Sequence, residues 1–233
     1  MPYDKIVDSA ALDADIQSIA DAIREKAGTS DALVFPVGFS EAIAAIQAGG
    51  GDDTSFKDVL EGTAVNPTLP SDLTKIKGYA FFKQGSLALT SLPNSLSYIG
   101  TYAFRDCTNL ALTSLPSGVT LIDDFAFYGC KNLALTSLPN SLSYIGTYAF
   151  RDCTNLALTS LPNSLSYIGA YAFQSCMGLT TITIEGTPST LAHNAFSGCT
   201  NLLTINVPWA EGAMANAPWG ATNATINYNY TGG

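Results

Sequence analysis

A 23-residue period limits the fold of this chain more than any other sequence feature. The dipeptide Ala-Phe recurs at this step six times, at 80–81, 103–104, 126–127, 149–150, 172–173 and 195–196. Columns of leucine, isoleucine and cysteine keep the same phase, and residues 87–116 are identical to residues 133–162. A unit this small cannot bury its own apolar face, so consecutive units must stack and share one core. The sequence therefore predicts a solenoid of six coils over residues 70–207.

Each coil divides into two segments. The stretch Leu-Ala-Leu-Thr-Ser-Leu-Pro, as at 110–116, is predicted to be an extended strand that ends at the proline, which has no N–H to give to a sheet. The stretch from isoleucine to Ala-Phe, as at 122–127, is predicted to return as a short helical or 3₁₀ turn. Parallel strands stack about 4.8 Å apart, so this α/β-type solenoid would be roughly 30 Å long.

The charge lies mostly at the N-terminal end. Residues 1–62 hold 12 acidic and 4 basic residues, whereas residues 63–233 hold 7 and 6, which together give the net charge of −9. No cluster of lysine and arginine is present, which excludes nucleic acid and anionic membrane surfaces as expected partners. No apolar run approaches the roughly 18 residues of a membrane span, so no membrane insertion is expected. Residues 1–8 do not resemble a secretory signal.

The two ends of the chain differ from the repeats. An apolar stripe at helical spacing runs through the N-terminal part: Leu12, Ile16, Ile19 and Ile23. We expect a small helical attachment or oligomerisation module at 1–51, followed by a linker and N-terminal cap at 52–69. Residues 208–233 are expected to form a C-terminal cap, in which Trp209 and Trp219 cover the exposed end of the core.

The repeat pattern Leu-x-x-Ile-x-x-x-Ala-Phe-x-x-Cys-x-x-Leu, with a strand ending in proline, resembles the BspA-type leucine-rich repeats over about 70–208. The resemblance implies a parallel-strand solenoid, which that family uses mainly for adhesion and ligand binding. One departure concerns a leucine column that stands one position before the strand slots of the last two repeats: Leu89, Leu112, Leu135 and Leu158. We expect a bulge to bury these leucines. The alternative is an exposed apolar stripe that marks an interface.

The terminal segments carry a second resemblance. Residues 18–43 and 207–228 look like modules of tail-associated proteins of phages and prophages from Gram-positive gut bacteria. This implies a non-enzymatic tail component of the virion that contacts other tail proteins through residues 1–51 and binds a host cell-surface receptor, a glycan or a protein. A homo-oligomer is expected there by symmetry. The alternatives are a bacterial surface or secreted leucine-rich-repeat adhesin, and a purely structural tail component.

Two polar columns are predicted to have structural roles. The five cysteines occupy one slot of successive coils: Cys107, Cys130, Cys153, Cys176 and Cys199. Their odd number and equivalent slots favour a reduced, buried column over disulfides, and no C-x-x-C pair supports a metal site. An asparagine column is predicted to bond backbone groups where the coils bend, with a ligand role as the alternative: Asn109, Asn132, Asn155 and Asn201.

The sequence offers little catalytic chemistry. His193 is the single histidine and lies in a predicted turn, and no phosphate-binding loop or nucleophile motif is present. Only Asp123 and Asp124 are adjacent carboxylates within the repeats. We therefore predict no enzyme and no cofactor. The alternative is an enzyme on cell-wall glycans, which would need two carboxylates facing one cleft.

Three tyrosines are the candidate binding residues. Tyr98, Tyr144 and Tyr167 share one slot beside the isoleucine column, and other coils place Lys75, Leu121 or Thr190 there. A slot that accepts lysine and threonine is expected to be exposed, and an exposed phenol ring can stack on a sugar or contact a protein. The alternative is that these rings only shield the edge of the coil.

Overall fold

The repeats form a parallel β-solenoid in the computed structural model, which describes residues 69–231. Ten short strands follow one another along the chain: β1 (Lys75–Ile76), β2 (Tyr98–Ile99), β3 (Leu121–Ile122), β4 (Tyr144–Ile145), β5 (Ser160–Leu161), β6 (Tyr167–Ile168), β7 (Thr181–Ile184), β8 (Thr190–Leu191), β9 (Thr204–Asn206) and β10 (Thr225–Asn227). Six of them form one sheet in the order β1-β2-β3-β4-β6-β8, called sheet A here; sheet B has the order β10-β9-β7-β5. All neighbours are parallel, which confirms the predicted parallel-strand solenoid.

Sheet A runs along the isoleucine side and takes one strand from each of the six predicted coils. Ile76 pairs with Ile99 and Ile122 pairs with Ile145, so the register repeats at the sequence period. These side chains are at most 2% exposed, because each points into the shared core. The second residue of every strand is thus buried, while the first faces outward.

The turn after each strand of sheet A is not a helix. In the second coil the N–H of Ala103 donates to Gly100 O within the turn (3.1 Å), but the N–H of Tyr102 donates to Asp124 O of the next coil (3.0 Å). A helix would keep both bonds inside the segment. The helical or 3₁₀ turn predicted at 122–127 is therefore wrong, and no helix of any kind occurs within residues 69–231.

The leucine side also differs from its prediction. Sheet B begins only at Ser160, so the strand expected at 110–116 is not formed there. The four early leucines are nevertheless all buried, with exposures of 0 to 3%: Leu89, Leu112, Leu135 and Leu158. The predicted burial is confirmed, and the apolar-stripe alternative does not hold.

The register of the leucine side is seen where the last coil with an early leucine (Leu158) is followed by the first coil without one (Ile182). Leu158 and Leu161 point inward and the two residues between them face outward, whereas in the next coil the outward pair precedes Ile182. Leu161 still pairs with Ile184. Both coils thus have one pair of consecutive outward residues; the pair shifts by two positions between them, because the inward residue beside it moves by one, from Leu158 to Ile182.

The C-terminal segment continues the solenoid. β10 pairs in register with β9, and the N–H of Phe196 donates to Trp219 O (2.9 Å) as the N–H of Phe173 donates to Ala195 O (2.9 Å). The predicted number of six coils is therefore too low, since this segment adds a seventh. The indole of Trp219 is fully buried and meets the ring of Trp209 edge-on at 6.2 Å. The module predicted at 1–51, and the linker up to residue 68, lie outside the described residues.

Candidate binding surfaces

The three predicted tyrosines lie on sheet A and are half-buried. The rings of Tyr144 and Tyr167 stack at 4.7 Å with 6° between their planes. Leu121 occupies the same slot one coil earlier and separates them from Tyr98, whose hydroxyl donates to Asp123 Oδ2 at 2.8 Å. We call the four residues of this slot, Tyr98, Leu121, Tyr144 and Tyr167, the tyrosine band. The structure brings two of the predicted residues into contact and leaves the third apart.

Two phenols of the tyrosine band, those of Tyr98 and Tyr144, are held in their neutral form. Burial raises the pKa of Tyr98 to about 12, helped by the hydrogen bond to Asp123 and the charge of that residue. Burial also raises the pKa of Tyr144, with smaller contributions from the charge of Asp124 and from Tyr167. Both hydroxyl groups therefore act as neutral donors in any contact near neutral pH.

The adjacent carboxylates are engaged in the turn that carries them. Asp123 Oδ1 accepts a hydrogen bond from the N–H of Asp124 (2.8 Å), and Asp124 Oδ1 accepts one from the N–H of Thr147 in the next coil (2.6 Å). These contacts orient Asp123 toward Tyr98. The third candidate of the acid–base chemistry, His193, is exposed in a turn. Within residues 69–231, no group of three His, Cys, Asp or Glu side chains could hold a metal ion.

A second aromatic surface was not predicted from the sequence. Five half-buried rings follow the turn beside sheet A: Tyr79, Tyr102, Phe125, Tyr148 and Tyr171. Neighbouring centroids are 4.7 to 5.0 Å apart and the rings are stacked, so their faces cover one another and their edges point away from the stack. All five have φ between 57° and 62°, a left-handed conformation that only a strong set of contacts can impose on an aromatic residue.

Two arginines lie among rings beside this stack. The guanidinium carbon of Arg105 is 4.8 Å from the centroid of Tyr128 and 5.6 Å from that of Phe82, and that of Arg151 is 5.2 Å from Tyr128. Each guanidinium also contacts a ring of the stack, at 5.4 Å. These four residues and the five stacked rings make up a surface that we call the aromatic–arginine edge.

The Nε atom of each arginine also lies beside the carboxylate of the aspartate that follows it. Arg105 Nε is 3.4 Å from Asp106 Oδ2, and Arg151 Nε is 3.3 Å from Asp152 Oδ2. The arginine side chains keep 31% and 33% of their surface exposed. A sequence signal for this edge does exist, because the residue before each Ala-Phe pair is aromatic in five coils and Asn194 in the sixth. This signal predicts a column of rings, but it does not indicate that two arginines lie beside them.

The cysteine column lies inside the solenoid. All five thiols are free and buried, and each Sγ donates to a phenylalanine carbonyl at 2.9 to 3.0 Å. The carbonyl belongs to the residue 26 positions earlier, as in the bond from Cys130 to Phe104 O. Burial raises the pKa of every one of these thiols, to about 11 at Cys199.

The asparagine column lies on the surface. All four side chains are exposed, and Asn201 Nδ2 donates to Met177 O at 2.8 Å. The other three form no side-chain hydrogen bond with residues 69–231. A ladder that the sequence reasoning missed consists of hydroxyl groups, each of which donates to a carbonyl one coil earlier at 2.8 to 3.2 Å: Ser97, Thr120, Ser143, Ser166 and Ser189.

Parallel coils at a 23-residue step, with one leucine-rich side, define a leucine-rich-repeat solenoid. The family described as BspA type Leucine rich repeat region matches residues 74–203 in six copies, and the chain belongs to this family. No curated protein matches the chain. No helix within residues 69–231 is long and apolar enough to cross a membrane.

The chain is also similar to solved structures. A leucine-rich repeat protein from T. pallidum is 33% identical with a TM-score of 0.54, over 62% of this chain and 72% of that one. A leucine-rich cell surface protein from Faecalibacterium prausnitzii is 28% identical with a TM-score of 0.44, over 70% and 53%. The pneumococcal vaccine antigen PcpA is 22% identical with a TM-score of 0.49, over 63% and 40%.

The comparisons give the phage-tail interpretation no support. That interpretation rests on residues 18–43, which lie outside the described residues, and on residues 207–228. The latter segment continues the solenoid, and closing the core is something that any solenoid requires. The tail role and the virion location therefore stay predictions.

Proposed function

We propose that this chain is a non-enzymatic adhesion protein of the bacterial cell surface that binds a protein partner through the aromatic side of its solenoid. Membership of the BspA type supports adhesion and ligand binding as the general role. The observation that carries the proposal is the aromatic–arginine edge, because tyrosine and arginine are the side chains most enriched where binding energy concentrates in protein interfaces.

The geometry of the edge favours a protein over a neutral glycan. A sugar ring stacks on the face of an aromatic ring, but in this column every face except the outer ones of the end rings, Tyr79 and Tyr171, is covered by the next ring at 4.7 to 5.0 Å. Ring edges and hydroxyl tips remain for contact. Because stacking already fixes the side chains, a partner that binds them meets a small entropy cost.

Adhesion of the full chain tests the proposal. We expect beads coated with the chain to bind host epithelial cells or immobilised host matrix proteins in a saturable way that soluble chain competes. Tyr128→Ser in the edge is expected to reduce this binding, while Leu203→Ser, at a leucine that is 59% exposed on the other side of the coil, leaves it unchanged.

Two outcomes would contradict the proposal. Either the full chain adheres to none of these surfaces, or adhesion occurs and Tyr128→Ser and Leu203→Ser affect it equally. Tyr144→Ser separates the two aromatic surfaces, since it removes a ring from the tyrosine band and leaves the edge intact.

A further inference from the structure

We propose that the aromatic–arginine edge holds two similar half-sites, centred on Arg105 and Arg151, for two carboxylates on one helix of an acidic partner protein. This inference rests on the proposed function and names the chemistry of the partner. It starts from the internal duplication, since residues 87–116 and 133–162 are identical and place the same arginine two coils apart.

Each half-site presents an ordered guanidinium with unused donors. Arg105 and Arg151 are held between rings by the contacts described above, and only their Nε atoms face a carboxylate of their own chain. The terminal nitrogens make no hydrogen bond with residues 69–231. A planar guanidinium with two free terminal nitrogens matches a carboxylate bidentately, and its fixed orientation lowers the entropy cost of doing so.

The surrounding rings favour the same charge in the partner. An aromatic ring has a negative face and a positive edge, and the stack hides the faces and exposes the edges. The negative charges of Asp106 and Asp152 disfavour an acidic partner. Each makes only one long contact with its arginine, however, and ion pairs that are exposed in this way contribute little energy. The placement of both aspartates at Nε orients the guanidinium and leaves its outer end available.

The spacing selects the partner's conformation. The rings of Tyr102, Phe125 and Tyr148 step by 4.7 and 4.9 Å, so equivalent atoms of Arg105 and Arg151 are roughly 10 Å apart. Side chains on one face of an extended strand repeat about every 6.8 Å, which does not match. Two turns of an α-helix advance about 10.5 Å, so acidic residues seven positions apart lie on one face at the required distance. A residue midway between them would contact Tyr128, which lies between the two guanidinium groups.

The test uses designed helical peptides and the full chain. The first peptide carries two glutamates seven residues apart with a leucine midway; the second replaces both glutamates by glutamine; the third places the glutamates four residues apart at the same net charge. Fluorescence anisotropy is expected to show that the first peptide binds about tenfold more tightly than the second. A tenfold change in Kd is about the effect of losing one charge-assisted hydrogen bond. The third peptide is expected to bind more weakly than the first.

Variants assign the effect to the arginines. The double variant R105Q/R151Q is expected to bind the first two peptides equally, and R105K/R151K to recover only part of the difference because lysine lacks the planar fork. The matched control K77Q/K131Q removes the same charge from two exposed lysines outside the edge and is expected to keep the difference. Circular dichroism of each variant verifies that the repeats are folded.

Several results would overturn the inference. These are equal binding of the first two peptides, no binding of the first at millimolar concentration, equal binding of the first and third, or arginine-dependent binding of a sulfated polysaccharide without binding of any peptide. If R105Q/R151Q adheres to host cells as the unmodified chain does, the half-sites fail and the adhesion function stands. If the chain binds the first peptide but adheres to no host surface, the half-sites stand and the adhesion function fails.

Discussion

Two aromatic columns run along this solenoid at the same step, and they differ in what surrounds them. The inner column consists of six phenylalanines, stacked at 5.1 to 5.4 Å and buried in the core: Phe81, Phe104, Phe127, Phe150, Phe173 and Phe196. The outer column consists of Tyr79, Tyr102, Phe125, Tyr148 and Tyr171, half-buried at 4.7 to 5.0 Å. Stacking alone therefore does not reveal a role, because the same geometry serves a core and a surface.

The third coil has phenylalanine in both columns and therefore offers a matched pair of residues. Phe125 and Phe127 are two positions apart in one turn, and each stacks on a ring above and a ring below. Phe127 is fully buried, while Phe125 is half-buried at φ 57°. Substitutions at these two sites separate the contribution of burial from that of stacking.

The largest expected effect is that of Phe127→Ala. Removing a buried ring from a packed core leaves a cavity and costs about 3–5 kcal/mol of unfolding free energy. Phe125→Ala removes only stacking at a half-buried site, and we expect a loss of about 1 kcal/mol. Denaturant unfolding of the full chain measures both, and equal losses would show that the columns do not differ as described.

The next effect concerns one hydroxyl group. Phe127→Tyr places a hydroxyl in the core without a partner, which is expected to cost about 1–3 kcal/mol. Phe125→Tyr introduces the residue that the outer column already has at its four other positions, so no measurable loss is expected. A stable Phe127→Tyr variant would mean that the inner column has access to solvent or to an unrecognised acceptor.

The contrast between the columns also shows how much the sequence could predict. The inner side follows from periodicity, since isoleucine, leucine, cysteine and phenylalanine each return at the same step and each is buried. The leucine side could not be placed from alternation, because the outward pair that shifts between Leu158 and Ile182 depends on pairing between coils. The seventh coil could not be predicted from the period, because Trp219 stands where earlier coils have alanine and β10 follows β9 by fewer than 23 residues.

The outer side was harder to predict for a physical reason. The left-handed conformation of Tyr102 arises because its N–H bonds to the next coil, which no local propensity indicates. The contacts of Arg105 and Arg151 join residues of neighbouring coils, so neither residue is conspicuous in its own repeat. The tyrosine band could be predicted because its slot holds Lys75 and Thr190 in other coils, which indicates that the slot is not part of the core.

A smaller effect is expected from Tyr98→Phe, and it depends on pH. The pKa of Tyr98 is about 12 in the folded chain, above its ordinary value of 10. A raised folded-state pKa adds stability that is complete below pH 10 and is lost as the pH rises toward 12. The Tm difference between the unmodified chain and Tyr98→Phe should therefore shrink across this interval.

Asp123→Asn provides the control for the pH dependence. This variant removes the charge of Asp123, a secondary cause of the raised pKa, while the ring of Tyr98 stays buried. The interval between the ordinary and the folded-state pKa of Tyr98 should therefore become narrower. An unchanged interval would mean that the charge of Asp123 does not contribute to the raised pKa.

The smallest expected effect is no reaction at all, at the thiols beside the inner column. Burial raises the pKa of all five thiols, and only a thiolate reacts readily, so a thiol reagent at pH 8 should label none of them at an appreciable rate in the native chain. Denaturation should expose all five, since all are free. If any thiol reacts slowly in the native state, we expect Cys199, nearest the C-terminal end of the column, to react before Cys130 and Cys153. Fast native labelling of those two central thiols would show that the coils open there, and the inner column would then share the accessibility of the outer one.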